Sequence, residues 1–534
     1  MLISTLTSPL ERLADVRDTM LETGRLSRRG LLQAAGGITF LAIAPGAAAK
    51  TPLGLDGEPF DSFAGAPARP VFTALPYLQP GPTGHRLVDG EESLVIAWQT
   101  DVVPARFELT YGPNGTEHRA TIEQAPRGAG IHRASERRTN YVARLQGLNL
   151  HSRYKYRVDM NGERVVEGYF TTRKPRGEKV RFVSFGDNSH GDMSDRAIAY
   201  QAFRARPDFV MNTGDTVYDS GLDNEYSRYF FPIYNADEAG PRIGAPLLRA
   251  VPFYTVLANH DLTSRDAKGH PISDLDKYPD ACGYFTNMHP PLNGPDPSHP
   301  MPIVGATDRL AEFTAAAGTQ HLRKSNYSFD YGDGHFLCLD SNVYVDPTDP
   351  ALQKWIADDL SGSSAVWKIV VYHHPAFNVG NEHYDEQHMR VLSPIFEKCG
   401  VDVVLSGHEH TYQRTRPLRF APRDESGAKA VGEGTRYVPG SFTVDRRFDG
   451  QAATKPDGIL YITTGAGGKS LYDPEMNDDP TRRLHPEDGN VEYIAAMVTD
   501  RHSLSVIDMD SRSFILRQID EWGQQIDRVE LRKG

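Results

Sequence analysis

The sequence predicts an α/β catalytic unit of stacked βαβ elements, preceded by an all-β sandwich. Three observations carry that expectation. Between residues 71 and 173, short runs alternate apolar and polar residues, with turn residues between them, the pattern of an antiparallel sandwich. From residue 178 onward, short apolar runs alternate with helix-periodic segments, as in parallel βαβ architectures. Five of those apolar runs end, within a few positions, in residues able to bind a metal.

The 534 residues exceed one small domain, and 39% apolar with 24% charged residues suits a globular chain with a large core. Acidic residues outnumber basic ones 70 to 58, for a net charge of −12. This excludes a protein built to coat nucleic acid, which needs a positive footprint. It does not exclude small anionic ligands, because a bound metal reverses the local field. Three cysteines, Cys282, Cys338 and Cys399, cannot make a disulfide framework. They allow one pair and a free thiol, or no pair.

The N-terminus is read first as an address. Arg28 and Arg29 precede a weakly apolar stretch from Ala34 to Ala49, which ends in the small residues Ala47, Ala48 and Ala49. The stretch is too short for the ~20 apolar residues of a membrane-spanning helix, so no stable span is expected. Arginine pair, apolar run and small-residue site resemble a twin-arginine export signal over 1–49. That implies passage through the twin-arginine machinery and a periplasmic or secreted location. Residues 50–70 are rich in Gly, Pro, Ala and Asp without periodicity and read as a linker.

In the sandwich, 71–173, Leu94, Ile96 and Trp98 alternate with Val95 and Ala97, and Tyr154, Tyr156 and Val158 with polar partners. Asn161-Gly162 is a two-residue hairpin signal, since both central positions of a type I′ turn need positive φ. The run from Leu145 to Val158 resembles a fibronectin type III strand pair. Residues 174–178 form a short polar hinge.

The catalytic unit spans 178–534. Strands are expected at Val180 to Phe185, Phe209 to Met211, Phe253 to Leu257, Trp367 to Tyr372 and Val401 to Leu405. Helices are expected over 194–206 with Ser194 as N-cap, over 352–360 and over 388–398. The last eighty residues read as further strands. Long Pro- and Gly-rich insertions at 262–330 and 416–456 read as elaborations around a site.

Open α/β sheets build sites beyond the carboxyl ends of their strands. The expected strands lead into Gly186-Asp187-Asn188, Gly214-Asp215-Thr216-Val217-Tyr218, Asn259-His260-Asp261, His373-His374-Pro375 and Gly407-His408-Glu409-His410. Asp, Asn, His and Tyr without Cys make an oxygen and nitrogen site suited to iron, manganese or zinc. Seven ligands exceed one ion's needs but fit two metal ions sharing a carboxylate, a known device for attack at phosphorus. His374 is expected to turn away from His373, as neighbours on a strand end do.

This order of motifs resembles the calcineurin-like metallophosphoesterases, and among them the purple acid phosphatases. Ser189 stands where many members carry a metal-binding His, and Tyr218 follows Asp215 by three residues, as in the purple enzymes. The resemblance covers roughly 71–510. It implies a β-sandwich flanked by helices, in four α/β/β/α layers, behind a fibronectin III-like domain. It implies Fe3+ held by Asp187, Tyr218 and His410, a divalent Fe, Zn or Mn held by Asn259, His373 and His408, and Asp215 bridging both. His260 and His383 would face the phosphate as catalytic residues. Ala258 and Asp261 replace the usual Gly and Glu without removing a ligand.

The expected activity is hydrolysis of small phosphate monoesters by in-line attack of a metal-bound hydroxide, in the manner of an acid phosphatase. A phosphodiesterase acting on nucleotides or lipid head groups is the alternative enzyme. A non-catalytic exported binding module is the alternative outside enzymology.

Overall fold

Alternation of apolar and polar side chains produces two four-stranded antiparallel sheets at the start of the described chain. The computed structural model describes residues 70–533, except 83–86, 88–90, 128–137, 263–281, 297–313, 316 and 430–435. The export signal expected over 1–49, nearly all of the linker and parts of both insertions lie outside the described residues. All described residues belong to one unit, Pro67–Gly534.

The first sheet runs in the order Phe72–Gln79, Glu91–Thr100, Arg138–Asn149, Thr121–Arg127. The second runs His118–Arg119, Phe107–Gly112, Arg153–Met160, Glu163–Thr171. Leu94, Ile96, Trp98, Leu109, Tyr154, Tyr156 and Val158 fill the space between them. Asn161 and Gly162, at φ 52° and 85°, make the expected turn.

One strand departs from simple alternation. Val95 and Ala97 are as buried as Ile96 and Trp98. Together with Tyr77 they join a core that includes Phe230, Phe231 and Leu257 of the catalytic unit. A strand apolar on both sides is covered on both sides, so the sandwich is fused to its neighbour. The fusion is also polar. Arg173 Nε donates to Glu92 Oε2 at 2.6 Å, and Arg173 Nη1 to the Asp330 carbonyl at 2.9 Å. Gln99 Nε2 donates to Asn287 Oδ1 at 2.5 Å. The segment 174–178 is therefore a joint with fixed partners on both sides.

The catalytic unit is built on two facing sheets. One has the order Phe253–Thr255, Phe209–Asn212, Val180–Phe185, Ser503–Met509, Ser513–Asp520, Gln525–Arg532. Its first three strands are parallel. The other runs Tyr327–Tyr331, Gly334–Cys338, Trp367–Val371, Val403–Ser406, Leu460–Thr464, Tyr412–Thr415, Ile494–Val498, with four parallel strands in its middle. Phe182, Phe209, Phe336, Ile369 and Leu405 pack between the sheets.

Helices cover both outer faces. Ile198, Ala199 and Ala202 of Met193–Ala205 pack on Val183, Val210 and Val506. Leu352, Ile356 and Leu360 of Pro350–Gly362 pack on Leu337, Val370 and Val404. Central strands buried on both faces read as continuous apolar runs. The result is the expected four-layer α/β/β/α arrangement. Among the described residues no helix is long and apolar enough to cross a membrane.

The first of these helices starts differently from the sequence expectation. Asp192 is its N-cap, and the Asp195 carboxylate accepts from the N–H groups of Ser189, His190, Gly191 and Asp192 at 2.7–3.1 Å. One carboxylate thus gathers the donors of the turn that follows Asp187. Ser194, expected as the cap, donates its hydroxyl to the Gly468 carbonyl at 2.8 Å. All three cysteines are buried, and none forms a disulfide.

Candidate metal centre

Five strands end at one rim, and the turns that follow them are tight. Asp187, Asp215 and His408 have φ of 58°, 48° and 68°. This left-handed conformation costs non-glycine residues about 1–2 kcal/mol each and concentrates at functional sites. Gly407 lets its turn close on Asp187: a Cβ there would lie 2.5 Å from Asp187 Oδ2. His408 N–H instead donates to both Asp187 carboxylate oxygens at 3.0 Å.

Three of the sequence-predicted residues converge on the phenol of a fourth. The Tyr218 hydroxyl lies 2.9 Å from Asp215 Oδ2, 3.3 Å from Asp187 Oδ1 and 3.1 Å from His410 Nε2. His373 Nε2 is 3.5 Å from the same Asp215 oxygen, 4.0 Å from Asp187 Oδ1 and 3.2 Å from His408 Nδ1. The ligand atoms of Asp215, His373 and His408 lie within 4.8 Å of one another. Asp215 Oδ2 is thus common to an Asp187–Tyr218–His410 group and a His373–His408 group.

Each histidine is oriented through its other nitrogen. His373 Nδ1–H donates to the Thr213 carbonyl at 2.9 Å, and His410 Nδ1–H to the Ser470 carbonyl at 2.7 Å. His408 Nε2–H donates to Glu386 Oε2 at 3.2 Å. These bonds aim the remaining nitrogen of each ring inward and raise its basicity.

Burial sets the charges. Asp187 is raised well above the usual carboxylate range by desolvation, with Asp215 adding to the effect. Burial also works against charge on Asp215, yet His373 and His260 hold it well below that range. His373 is pushed up to about 9, its burial outweighed by Asp215 and Asp187. Burial pushes His408 and His410 down to about 3. Both are neutral at ordinary pH.

The residues fit a pair of metal ions. Asn259 Oδ1 is buried with no hydrogen-bond partner, and an orphaned carbonyl oxygen is costly without a cation or donor. His408 Nδ1, left without a proton because Nε2 carries it, faces His373 Nε2 at 3.2 Å as an inward acceptor open to a proton or a cation. The donor set holds oxygen and nitrogen without sulfur, as iron, zinc or manganese prefers.

The two expected catalytic histidines flank the centre. The His260 ring lies 4.6 Å from the Tyr218 ring, and its Nδ1–H donates to the Asp219 carbonyl at 2.8 Å. Its backbone N–H donates to Asp215 Oδ1 at 2.8 Å. The His383 ring lies 3.8 Å from that of His408, with Nδ1 3.3 Å from Glu386 Oε1. His374 stands perpendicular to His373, but it does not leave the site. Its ring packs 4.3 Å from His408 and its Nδ1 bonds Ser341 Oγ at 3.0 Å.

Two carboxylates at the site carry roles that the motifs did not announce. Glu386 accepts from His408 through one oxygen and from His383 through the other. Its only sequence signal is its place three residues after His383. Asp261 ties the second and third loops, accepting from Thr216 N–H at 3.1 Å and Ala258 N–H at 3.2 Å.

Comparison with known proteins agrees with this geometry. The calcineurin-like phosphoesterase family model matches residues 181–412. Purple acid phosphatase 17 of Arabidopsis thaliana is 27% identical over 286 residues, covering 51% of this chain and 75% of that protein. A purple acid phosphatase of Glycine max is 24% identical over 300 residues, covering 48% and 64%. The structure of a purple acid phosphatase from yellow lupin (Lupinus luteus) seeds superposes with a TM-score of 0.58 at 17% identity, covering 86% of this chain and 74% of that one. That likeness shows the fold. Residues 181–412 form a calcineurin-like phosphoesterase domain, consistent with a metal-dependent phosphoric ester hydrolase.

Proposed function

We propose that this chain is an exported phosphatase that hydrolyses small phosphate monoesters at a two-metal centre of the purple acid phosphatase type. One observation carries the reading: a single Asp215 oxygen is shared by the Asp187–Tyr218–His410 group and the His373–His408 group, and Asn259, next in the chain to His260, has an orphaned side-chain oxygen. Asp187, Tyr218 and His410 would hold Fe3+, for which a phenolate is a hard anionic donor. Asn259, His373 and His408 would hold a divalent Fe, Zn or Mn. When bound, the pair supplies Lewis-acid polarisation of the phosphoryl group and acidifies the attacking water.

The chain's own residues do the rest. His260 is held by the Asp219 carbonyl and by its backbone bond to Asp215. It faces the ester as donor to the phosphoryl oxygens. His383 keeps Nδ1 on Glu386, which leaves Nε2 as the nitrogen to protonate the departing alkoxide. The arginine pair at 28–29 and its apolar run support export by the twin-arginine pathway. The double sheet over 72–171 takes the place of a fibronectin III-like domain.

The test is a metal count on purified protein with turnover of chromogenic mono- and diesters. Two ions per chain, an iron–tyrosinate band, and monoester turnover abolished in Asn259→Ala and His408→Ala are expected. Full hydrolysis by either variant removes the site assignment. Preferential diester turnover replaces the substrate class. Two zinc ions and no colour remove the iron.

A further inference from the structure

A lysine lies against the Tyr218 ring, and nothing above gives it a role. Lys469 follows Gly467 and Gly468 on the loop after Leu460–Thr464. Its backbone N–H donates to the Asp187 carbonyl at 2.9 Å. The loop comes this close because it has no side chain where it crosses the first turn: a Cβ on Gly467 would lie 2.0 Å from the Gly186 carbonyl oxygen.

The ammonium group is fixed on several sides. Nζ stands 4.5 Å from the Tyr218 ring centroid. It donates to Asp219 Oδ1 at 3.0 Å and to His190 Nδ1 at 3.0 Å. The lysine side chain is 19% exposed and that of Asp219 57%. Water therefore screens the aspartate more than it screens the cation against the ring. Lys469 keeps a net positive field on the ring face.

Resting on the reading of Tyr218 as a ligand of Fe3+, we propose that Lys469 is a positioning residue that weakens the electron donation of the Tyr218 phenolate to that metal. A phenolate spreads its negative charge over the ring, and a cation at the ring face stabilises that charge. Charge so held is less available at the oxygen. Light that moves an electron from phenolate to iron must then supply more energy, so Lys469 shifts the tyrosinate absorption to shorter wavelength. The same field lowers the donor strength that sets the metal's redox balance.

The experiment compares visible spectra of iron-loaded wild type, Lys469→Met, Lys469→Arg and Asp219→Asn, each at measured iron content. Lys469→Met is expected to move the band to longer wavelength, and Lys469→Arg to keep most of the wild-type position. Asp219→Asn, which unmasks the cation, is expected to move it the opposite way, an effect that mere loosening of the loop would not produce. Should Lys469→Met lose iron, Asp219→Asn still decides the matter. A wild-type band that neither Lys469→Met nor Asp219→Asn moves overturns the inference alone. Iron-loaded wild type without a band overturns the Tyr218–iron reading and this inference with it.

Discussion

Replacing Glu386 by Gln tests how far the centre depends on a residue outside the seven expected ligands. Glu386 is 18% exposed and bonds two imidazoles, His408 at 3.2 Å and His383 at 3.3 Å. Burial works against its charge, yet His408 and His383 hold it well below the usual carboxylate range, so it is ionised. A glutamine keeps the shape but has one acceptor oxygen. It can satisfy one imidazole N–H and must present its NH2 to the other. Loss of such a carboxylate partner costs about 10–100-fold in metal affinity or activity, or roughly 1.4–2.7 kcal/mol at 1.36 kcal/mol per tenfold. The assay dialyses wild type and Glu386→Gln against graded chelator, counts retained metal and measures kcat and KM on a monoester. Weaker retention at the His373–His408 group and a fall in kcat are expected. A variant that keeps both ions and wild-type kcat would refute the view that Glu386 orients these histidines.

Three further outcomes are expected. Arg173→Met leaves Glu92 buried without its partner, a change worth ~3–5 kcal/mol of stability, measurable by denaturant titration. Pairing it with Glu92→Leu should recover most of that loss. Gly407→Ala drives a Cβ to 2.5 Å from Asp187 Oδ2, so bound metal measured by elemental analysis should fall while circular dichroism stays unchanged. His335 is clamped between Asp330 at 2.7 Å and Asp359 at 2.8 Å. Burial opposes its charge, but the two carboxylates raise its pKa. Its stabilisation is complete below the unfolded value of about 6.5 and is lost as pH rises through the raised folded value. The melting temperature of His335→Gln should therefore fall less than that of wild type between neutral and alkaline pH, and parallel curves would refute the clamp.

The strand-end residues were legible because a parallel sheet leaves a plain trace: a short apolar run, a glycine, then a polar residue with no other reason to be there. Asp187, Asp215 and His408 announce themselves in this way; His373 follows its apolar run without a glycine, and His410 comes two residues after His408. Glu386 does not, since it sits on an aperiodic loop and acts only through neighbours 22 residues on and three residues back. The start of the first catalytic-unit helix was misplaced for a related reason. Ser194 looks like a cap in isolation, whereas Asp195 gathers four N–H groups only because the chain doubles back after Asp187. His374 follows strand geometry in turning from His373. What holds it against His408 is Ser341, a contact 33 residues distant in the chain.

Val95 and Ala97 carry a lesson about modularity. Alternation made the sandwich look like a self-sufficient unit on a polar tether, the sort of part that duplication can attach to one enzyme or another. Its second apolar face and the Glu92–Arg173 pair make it a wall of the enzyme. Cut at the 174–178 joint, both halves would expose apolar surface suited to aggregation. Shortening the chain to a minimal catalytic fragment is closed as an engineering route. The sandwich and the layer beneath it share one core and can change only together.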